Sequence, residues 1–457
     1  MVDNQEKRRW LVAVGVLIFI AVCTFLSARM LSAKLLIFAI FGSGAALLLI
    51  HRFVKCESAR DTLRFSSVFI LLTAVLFINY QTNILYPTNG LFVGFQWESE
   101  ALALNTIQAV KNGRFQWDSF GLHLGDGSKY VSQIGLQGKF YAILASILSY
   151  DQTVVATGML CSAMTAIVLV GIVFLLRRKY NSLLAGCFYI TFLLSPWVVS
   201  FARNLYWVEF TWFLPVLFGL LCSIHSNNRK CRVVCYIGVF LSVFVKCACG
   251  YEYISTIMLA MIAFLVGDFV KAALDKDKKQ VLSLLRTIFI MGLSAVLGFV
   301  VAFLIHAIMR GEGNLILGVE HIYKYDIQRR MSVEADSGAF GDAYVASIEA
   351  PILAVVRTYF TFTTDVILGI PGGWFMVLVV LPLVVFVYRF IKHKPVAEQF
   401  VLYTLFLLAT LSWYILAKPH SYIHVHMNYV LWYFGFVQMC LYIVINHVKT
   451  VLLERGS

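Results

Sequence analysis

The chain has 457 residues, of which 60% are hydrophobic and only 13% charged. Soluble domains carry about a quarter charged residues, so this balance excludes a chain folded chiefly in water. The formal net charge of +13 does not point to nucleic acid, because the Lys and Arg residues form no stripe and lie between apolar runs, mainly on one side.

The apolar runs have the length needed to cross about 30 Å of hydrocarbon at 1.5 Å rise per residue. They fall at 10–28, 31–50, 66–86, 153–176, 181–200, 207–225, 233–250, 253–272, 287–308, 373–391, 398–417 and 427–446. The expected fold is therefore all-α, a polytopic membrane protein of about 12 transmembrane helices. Residues 1–65 contribute two N-terminal spans and 66–457 the core. The basic start (Lys7-Arg8-Arg9) before the first run reads as a retained signal-anchor.

With that end inside, both termini are cytoplasmic and the inner segments hold 23 of the 37 Lys and Arg, mostly on short loops. The expected location is the plasma (inner) membrane. Two outer segments are long, 87–152 and 309–372. Each contains a shorter amphipathic or moderately apolar stretch, 136–150 and 351–368, expected to lie as an interfacial helix on the outer leaflet. The ten cysteines avoid both loops, and no pair has zinc-ribbon spacing, so no disulfide framework or structural zinc site is implied.

Polar residues with chemical potential gather at the outer ends of these runs. The first long loop carries Gln96-Trp97-Glu98-Ser99-Glu100-Ala101, two carboxylates opening an expected helix from Glu98 to Lys111. Capping of that helix is one account of them; a base poised beside the bilayer is the other, since partial burial near Trp97 raises a carboxyl toward a useful proton acceptor. The loop continues Gly121-Leu-His-Leu-Gly-Asp-Gly-Ser-Lys129-Tyr130-Val-Ser-Gln133-Ile-Gly135-Leu-Gln137-Gly138. Here glycines let main chain approach a ligand closely, and Lys129, Tyr130, Gln133 and Gln137 offer hydrogen bonds; a surface loop accounts for the glycines alone equally well.

The end of the run 181–200 carries Ser195-Pro196-Trp197, and Phe201-Ala202-Arg203-Asn204-Leu205-Tyr206-Trp207-Val208-Glu209 follows it. Arg203 lies where the positive-inside rule disfavours it; it either snorkels to headgroups or binds phosphate oxygens bidentately. Cys249-Gly250-Tyr251-Glu252-Tyr253 places another acid at an outer helix end, either an aromatic-belt anchor in headgroup water or a ligand contact. The last outer loop, Lys418-Pro-His420-Ser-Tyr-Ile-His424-Val-His426, supplies a cation and three imidazoles. The histidines can hold a divalent metal only with a further acid, so contact of one or two of them with phosphate or sugar is the expectation, and no metal is assigned.

Trp97-Glu98-Ser99-Glu100-Ala101 resembles the acidic first-loop motif of the GT-C superfamily of membrane glycosyltransferases, such as the protein mannosyltransferases and the lipid A aminoarabinose transferase. Ser195-Pro196-Trp197 with Phe201-Ala202-Arg203 is similar to their Pro-x-x-x-x-Arg segment. The likeness covers about 66–457, and it departs in that both candidate acids are Glu where Asp is common. The resemblance implies inverting transfer of a sugar from a polyprenyl-phosphate donor to a hydroxyl of an acceptor glycan, lipid or protein. Glu98 or Glu100 would be the base, and Arg203 and Lys418 with His420 or His424 would neutralise the phosphate, while Lys129, Tyr130, Gln133, Gln137, Tyr206, Glu252 and His426 would contact the sugar or acceptor. The alternatives are a lipid-linked saccharide polymerase and a flippase or transporter. Neither a nucleic acid partner nor an obligatory cofactor is implied.

Overall fold

A computed structural model describes residues 42–47, 57–83, 85, 90–328, 342–361, 365–367, 370–371 and 374–456. The first expected span, 10–28, and most of the second lie outside the described residues. Every later apolar run contains or adjoins a helix: α1 (Glu57–Thr82), α2 (Gly90–Lys111), α3 (Leu136–Ile147), α4 (Tyr150–Lys179), α5 (Ser182–Leu194), α6 (Pro196–Ala202), α7 (Phe210–Ile224), α8 (Arg229–Cys249), α9 (Ile254–Leu274) and α10 (Lys278–Arg310). There follow α11 (Leu315–Ile322), α12 (Asp342–Glu349), α13 (Ile352–Thr361), α14 (Phe375–Ile391), α15 (Ala397–Leu416), α16 (Lys418–Ile423), α17 (Val425–Asn428) and α18 (Phe436–Gly456). A short antiparallel ribbon, β1 (Asp365–Ile367) with β2 (Ile370–Pro371), precedes α14.

Seven of these helices are long and apolar enough to cross a membrane, α1, α4, α8, α9, α10, α15 and α18, and an eighth is reached if α5 and α6 form one bent span. The apolar helices α7 and α14 are shorter, at 15 and 17 residues. The architecture is consistent with an integral membrane protein, with fewer full-length spans among the described residues than the apolar runs predict. Helix α10 has 33 residues, roughly 50 Å at 1.5 Å per residue, so it is long enough to pass beyond the hydrocarbon.

Local chemistry sets the boundaries. Asn181 caps α5, Asn228 caps α8, Asp277 caps α10 and Asn314 caps α11, each side chain accepting from main-chain N–H groups of the first turn. Helix α4 ends on Arg177, Arg178 and Lys179, where cations suit the C-terminal dipole.

Three expected boundaries are corrected. Helix α2 starts at Gly90 rather than at Glu98, so Glu98 and Glu100 lie inside it and its first turn has no acid; N-terminal capping no longer explains them. The expected helix over 351–368 stops at Thr361, before the ribbon. The last run does not begin a long helix at 427, because Tyr429–Tyr433 form a tight 3-10 turn and Gly435, at φ 132°, breaks the chain before Phe436.

The described residues divide into two compact units. One holds those up to Tyr130, with Gly135–Gly171 and Val199–Phe210; the other holds Val131–Ile134, Ile172–Val198 and those from Thr211 onward. In the first, α2 packs on α3, and Lys111 donates to the carbonyls of Ala145 and Leu148 at the α3 C-terminus. The segment 121–138 closes over glycines. A side chain at Gly138 would collide with the Gly121 carbonyl, and one at Gly121 with the Gly135 carbonyl. In the second unit, α8 packs on α10 and α9 on α15, around a core that includes Val239, Val243, Met261, Leu265 and Met291.

Candidate functional site

Glu100 sits on α2, in the first unit, partly buried. Its Oε1 accepts the main-chain N–H of Leu205 at 3.1 Å. Burial holds its carboxyl above the usual carboxylate range, while the Leu205 N–H and the nearby Arg203 guanidinium pull the other way. Residues 103 or more positions apart in sequence thus meet, and the first-loop acid stands beside the arginine segment.

The Arg203–Glu209 loop that receives Glu100 is held from several directions. Asn204 Oδ1 accepts from the N–H groups of Tyr206 and Trp207 at 2.9 and 3.2 Å. The Tyr141 hydroxyl donates to the Leu205 carbonyl at 2.8 Å, and Gln137 Nε2 to the Tyr206 carbonyl at 3.1 Å. Tyr130 meets the Tyr206 ring edge-on, centroids 6.4 Å apart. Arg203 itself is exposed. One guanidinium N–H reaches the Gln81 carbonyl at 3.3 Å, and its methylenes lie over Gly158, where an added Cβ would be 3.5 Å from Cγ. A guanidinium has five N–H donors, so most of this one faces solvent.

Loop 121–138 presents Lys129 outward, its ammonium on Gln116 Oε1 at 2.5 Å. His123 is buried, with its N–H on Thr106 Oγ1 at 3.1 Å; burial, then Lys129, keeps its imidazole below the usual histidine value.

Other expected site residues belong to the second unit. Gln133 and Glu252 are both buried, and an added Cβ at Gly250 would lie 2.5 Å from Glu252 Oε2 and 2.7 Å from Gln133 Oε1. Lys246 is buried with its ammonium on the Gly250 carbonyl at 2.6 Å. His306 bonds the Val131 carbonyl at 2.9 Å and the Tyr251 hydroxyl at 3.2 Å. A polar cluster therefore forms around Gly250. Gln133 and Glu252 are the members expected as sugar or acceptor contacts, and Lys246 and His306 join them.

Lys418 is used locally: its ammonium donates to the Ile348 and Ala350 carbonyls at 2.6 and 2.8 Å, closing the C-terminal end of α12. His420 and His424 rings are 4.6 Å apart and His424 and His426 5.9 Å, with the His426 carbonyl accepting from Trp197 Nε1 at 2.6 Å. Among the described residues no group of three His, Cys, Asp or Glu side chains is placed to hold a metal ion.

No family model, no curated protein and no solved structure matches this chain.

The site therefore rests on its own geometry. The side chain of Glu98 lies outside the described residues. Glu100, Arg203, Lys129, Tyr130, Gln137 and Tyr206 share one unit, and Gln133, Glu252, Lys418 and the three histidines share the other. Sequence reading assigned no role to Tyr141 or Asn204, which organise the arginine loop, nor to Glu209, which stands at its far end. Asn204 carries a readable signal, as an Asx residue two positions before the N–H it caps.

Proposed function

We propose that this protein is a membrane glycosyltransferase that moves a sugar from a polyprenyl-phosphate donor to an acceptor hydroxyl at the non-cytoplasmic face, with inversion. The reading takes Glu100 as the base. Its carboxylate removes the proton of the acceptor hydroxyl as that oxygen attacks the anomeric carbon. The bond from that carbon to the phosphate oxygen breaks, and the phosphate departs with the electron pair. Arg203 neutralises the leaving phosphate with its exposed guanidinium, and loop 121–138 offers Lys129 to the sugar or acceptor.

One observation carries it: the half-buried carboxylate of Glu100 is bonded to the loop that begins at Arg203. A raised carboxyl and an open guanidinium side by side are the pair that proton abstraction and phosphate departure require. The test is transfer of a lipid-linked sugar in membranes containing Glu98→Gln, Glu100→Gln or Arg203→Ala protein. Wild-type rates in Glu100→Gln end the general-base assignment.

A second reading is favoured by the buried Lys246 and His306. Ionisable groups within candidate spans are commonly functional, and they suit an exporter of lipid-linked saccharide. Movement of the lipid-linked sugar with no new glycosidic bond separates the two, and a ladder of products identifies a polymerase.

A further inference from the structure

Most polar groups of the Arg203–Glu209 loop are bonded, as described above. The Glu209 carboxyl is not. It has no exposed surface, and neither carboxyl oxygen has a hydrogen-bond partner. Glu209 immediately precedes α7, whose first-turn N–H groups usually donate to a side chain at this position, yet the carboxyl accepts from none of them. The residue before it, Val208, has φ +47°. That left-handed region is a genuine outlier for a β-branched side chain, and such strain persists where the surroundings enforce it, commonly at ligand-binding and switching positions. Two independent observations therefore meet at one peptide: an orphaned acid and a strained backbone beside it.

We propose that the Glu209 carboxyl is a further ligand-binding group of this loop, engaging a hydroxyl of the saccharide, with Val208 as the hinge that presents it. The inference rests on the transferase reading and extends it to a sugar contact. An ionised carboxylate removed from water with no counter-charge is strongly disfavoured, so the group is carried as the neutral acid. In that form it offers one O–H donor and one carbonyl acceptor side by side, the complement of a sugar hydroxyl, which donates and accepts. A cationic ligand would require the acid to release its proton first; a hydroxyl requires no such step. A return of Val208 to negative φ would relieve that strain and re-aim the peptide that carries Glu209.

The test compares two probes on the full chain in detergent by titration calorimetry: a polyprenyl-phosphate-linked hexose and the polyprenyl phosphate without sugar. Glu209→Leu is expected to weaken the sugar-bearing probe about tenfold, the loss of one hydrogen bond to a neutral partner, and to leave the sugarless probe unchanged. Glu209→Gln keeps a donor and an acceptor and is expected to bind both probes nearly as wild type, with little pH dependence near neutrality. Equal binding of the sugar-bearing probe by Glu209→Leu and wild type overturns the inference and leaves the transferase reading standing. Loss in Glu209→Gln, with wild-type affinity climbing as pH rises, also overturns it and assigns the ionised acid to a cation. If wild type binds neither probe, the transferase reading falls and this inference with it. Should the leucine variant fail to fold, the infrared difference spectrum of wild-type protein with labelled glutamate decides. The carboxylic-acid carbonyl band must shift on adding the sugar-bearing probe and be missing from Glu209→Gln, and an unmoved band overturns the inference.

Discussion

The Glu100 carboxylate accepts the main-chain N–H of Leu205 at 3.1 Å, two residues past Arg203. The acid is thus tethered to the main chain of the segment that carries the arginine. Glu100→Gln retains a carbonyl oxygen for that N–H, so it is expected to fold and to lose transfer by about 10²–10⁴-fold, the usual worth of a positioned base. Glu100→Ala is expected to lose both transfer and thermal stability. Paired measurements of sugar transfer and melting temperature check this, and equal melting points for the two variants would remove the tether.

Acidity of Glu100 gives the sign of the pH response. Burial raises its carboxyl, and Arg203 and the Leu205 N–H partly oppose that. Transfer that uses the carboxylate therefore rises with pH through a value above that of a solvated glutamate. Arg203→Ala removes one opposing influence and is expected to move the acidic limb of kcat/KM to higher pH. Stability runs the other way. The folded chain holds this proton more tightly than the unfolded one, so the stabilising contribution is full below the unfolded pKa and is lost as pH rises through the folded one. An acidic limb identical in wild type and Arg203→Ala would contradict the electrostatic link.

Arg203 also separates charge from geometry. Arg203→Lys keeps the charge and loses the planar fork, so it is expected to weaken binding of polyprenyl phosphate by about tenfold, and Arg203→Ala more. Both effects shrink in high salt, because the guanidinium is exposed. Calorimetric affinities at two salt concentrations check the order, and a lysine variant equal to wild type argues against bidentate phosphate contact.

Glycines in the 121–138 segment are contact points of main chain with main chain. Gly138→Ala drives a methyl into the Gly121 carbonyl and is expected to cost roughly 1–3 kcal/mol or more, read as a lowered melting temperature. Gly186 in α5, with open space around its Cα, is the control: alanine there is expected to be neutral or mildly stabilising.

Much of the helical layout was legible because lipid-length apolar runs have few other uses. The misplaced boundaries have a common cause. Hydropathy does not distinguish aliphatic residues facing lipid from aromatic ones packed inward, so Tyr429–Tyr433, with Trp432 and Tyr433 fully buried, read as span. Likewise Gly90-Leu-Phe-Val-Gly-Phe looked like loop because of its glycines, and the true start of α2 was missed. For the site, Glu100 and Arg203 were recognisable separately by type and position, but their meeting depends on long-range folding that no local pattern encodes. Glu209 was given no role because nothing in the residues around it marks a lone acid; only its complete burial does.

Two helix crossings of the second unit are closed by glycine. A Cβ on Gly219 would strike the Met261 carbonyl, and one on Gly298 would sit 2.5 Å from the Phe240 carbonyl. No side-chain layer separates the helices at these points, so the spacing is set by covalent dimensions rather than by compressible packing or by the surrounding acyl chains. Solubilisation in detergents of different tail length should therefore leave α7 against α9 and α8 against α10 in register.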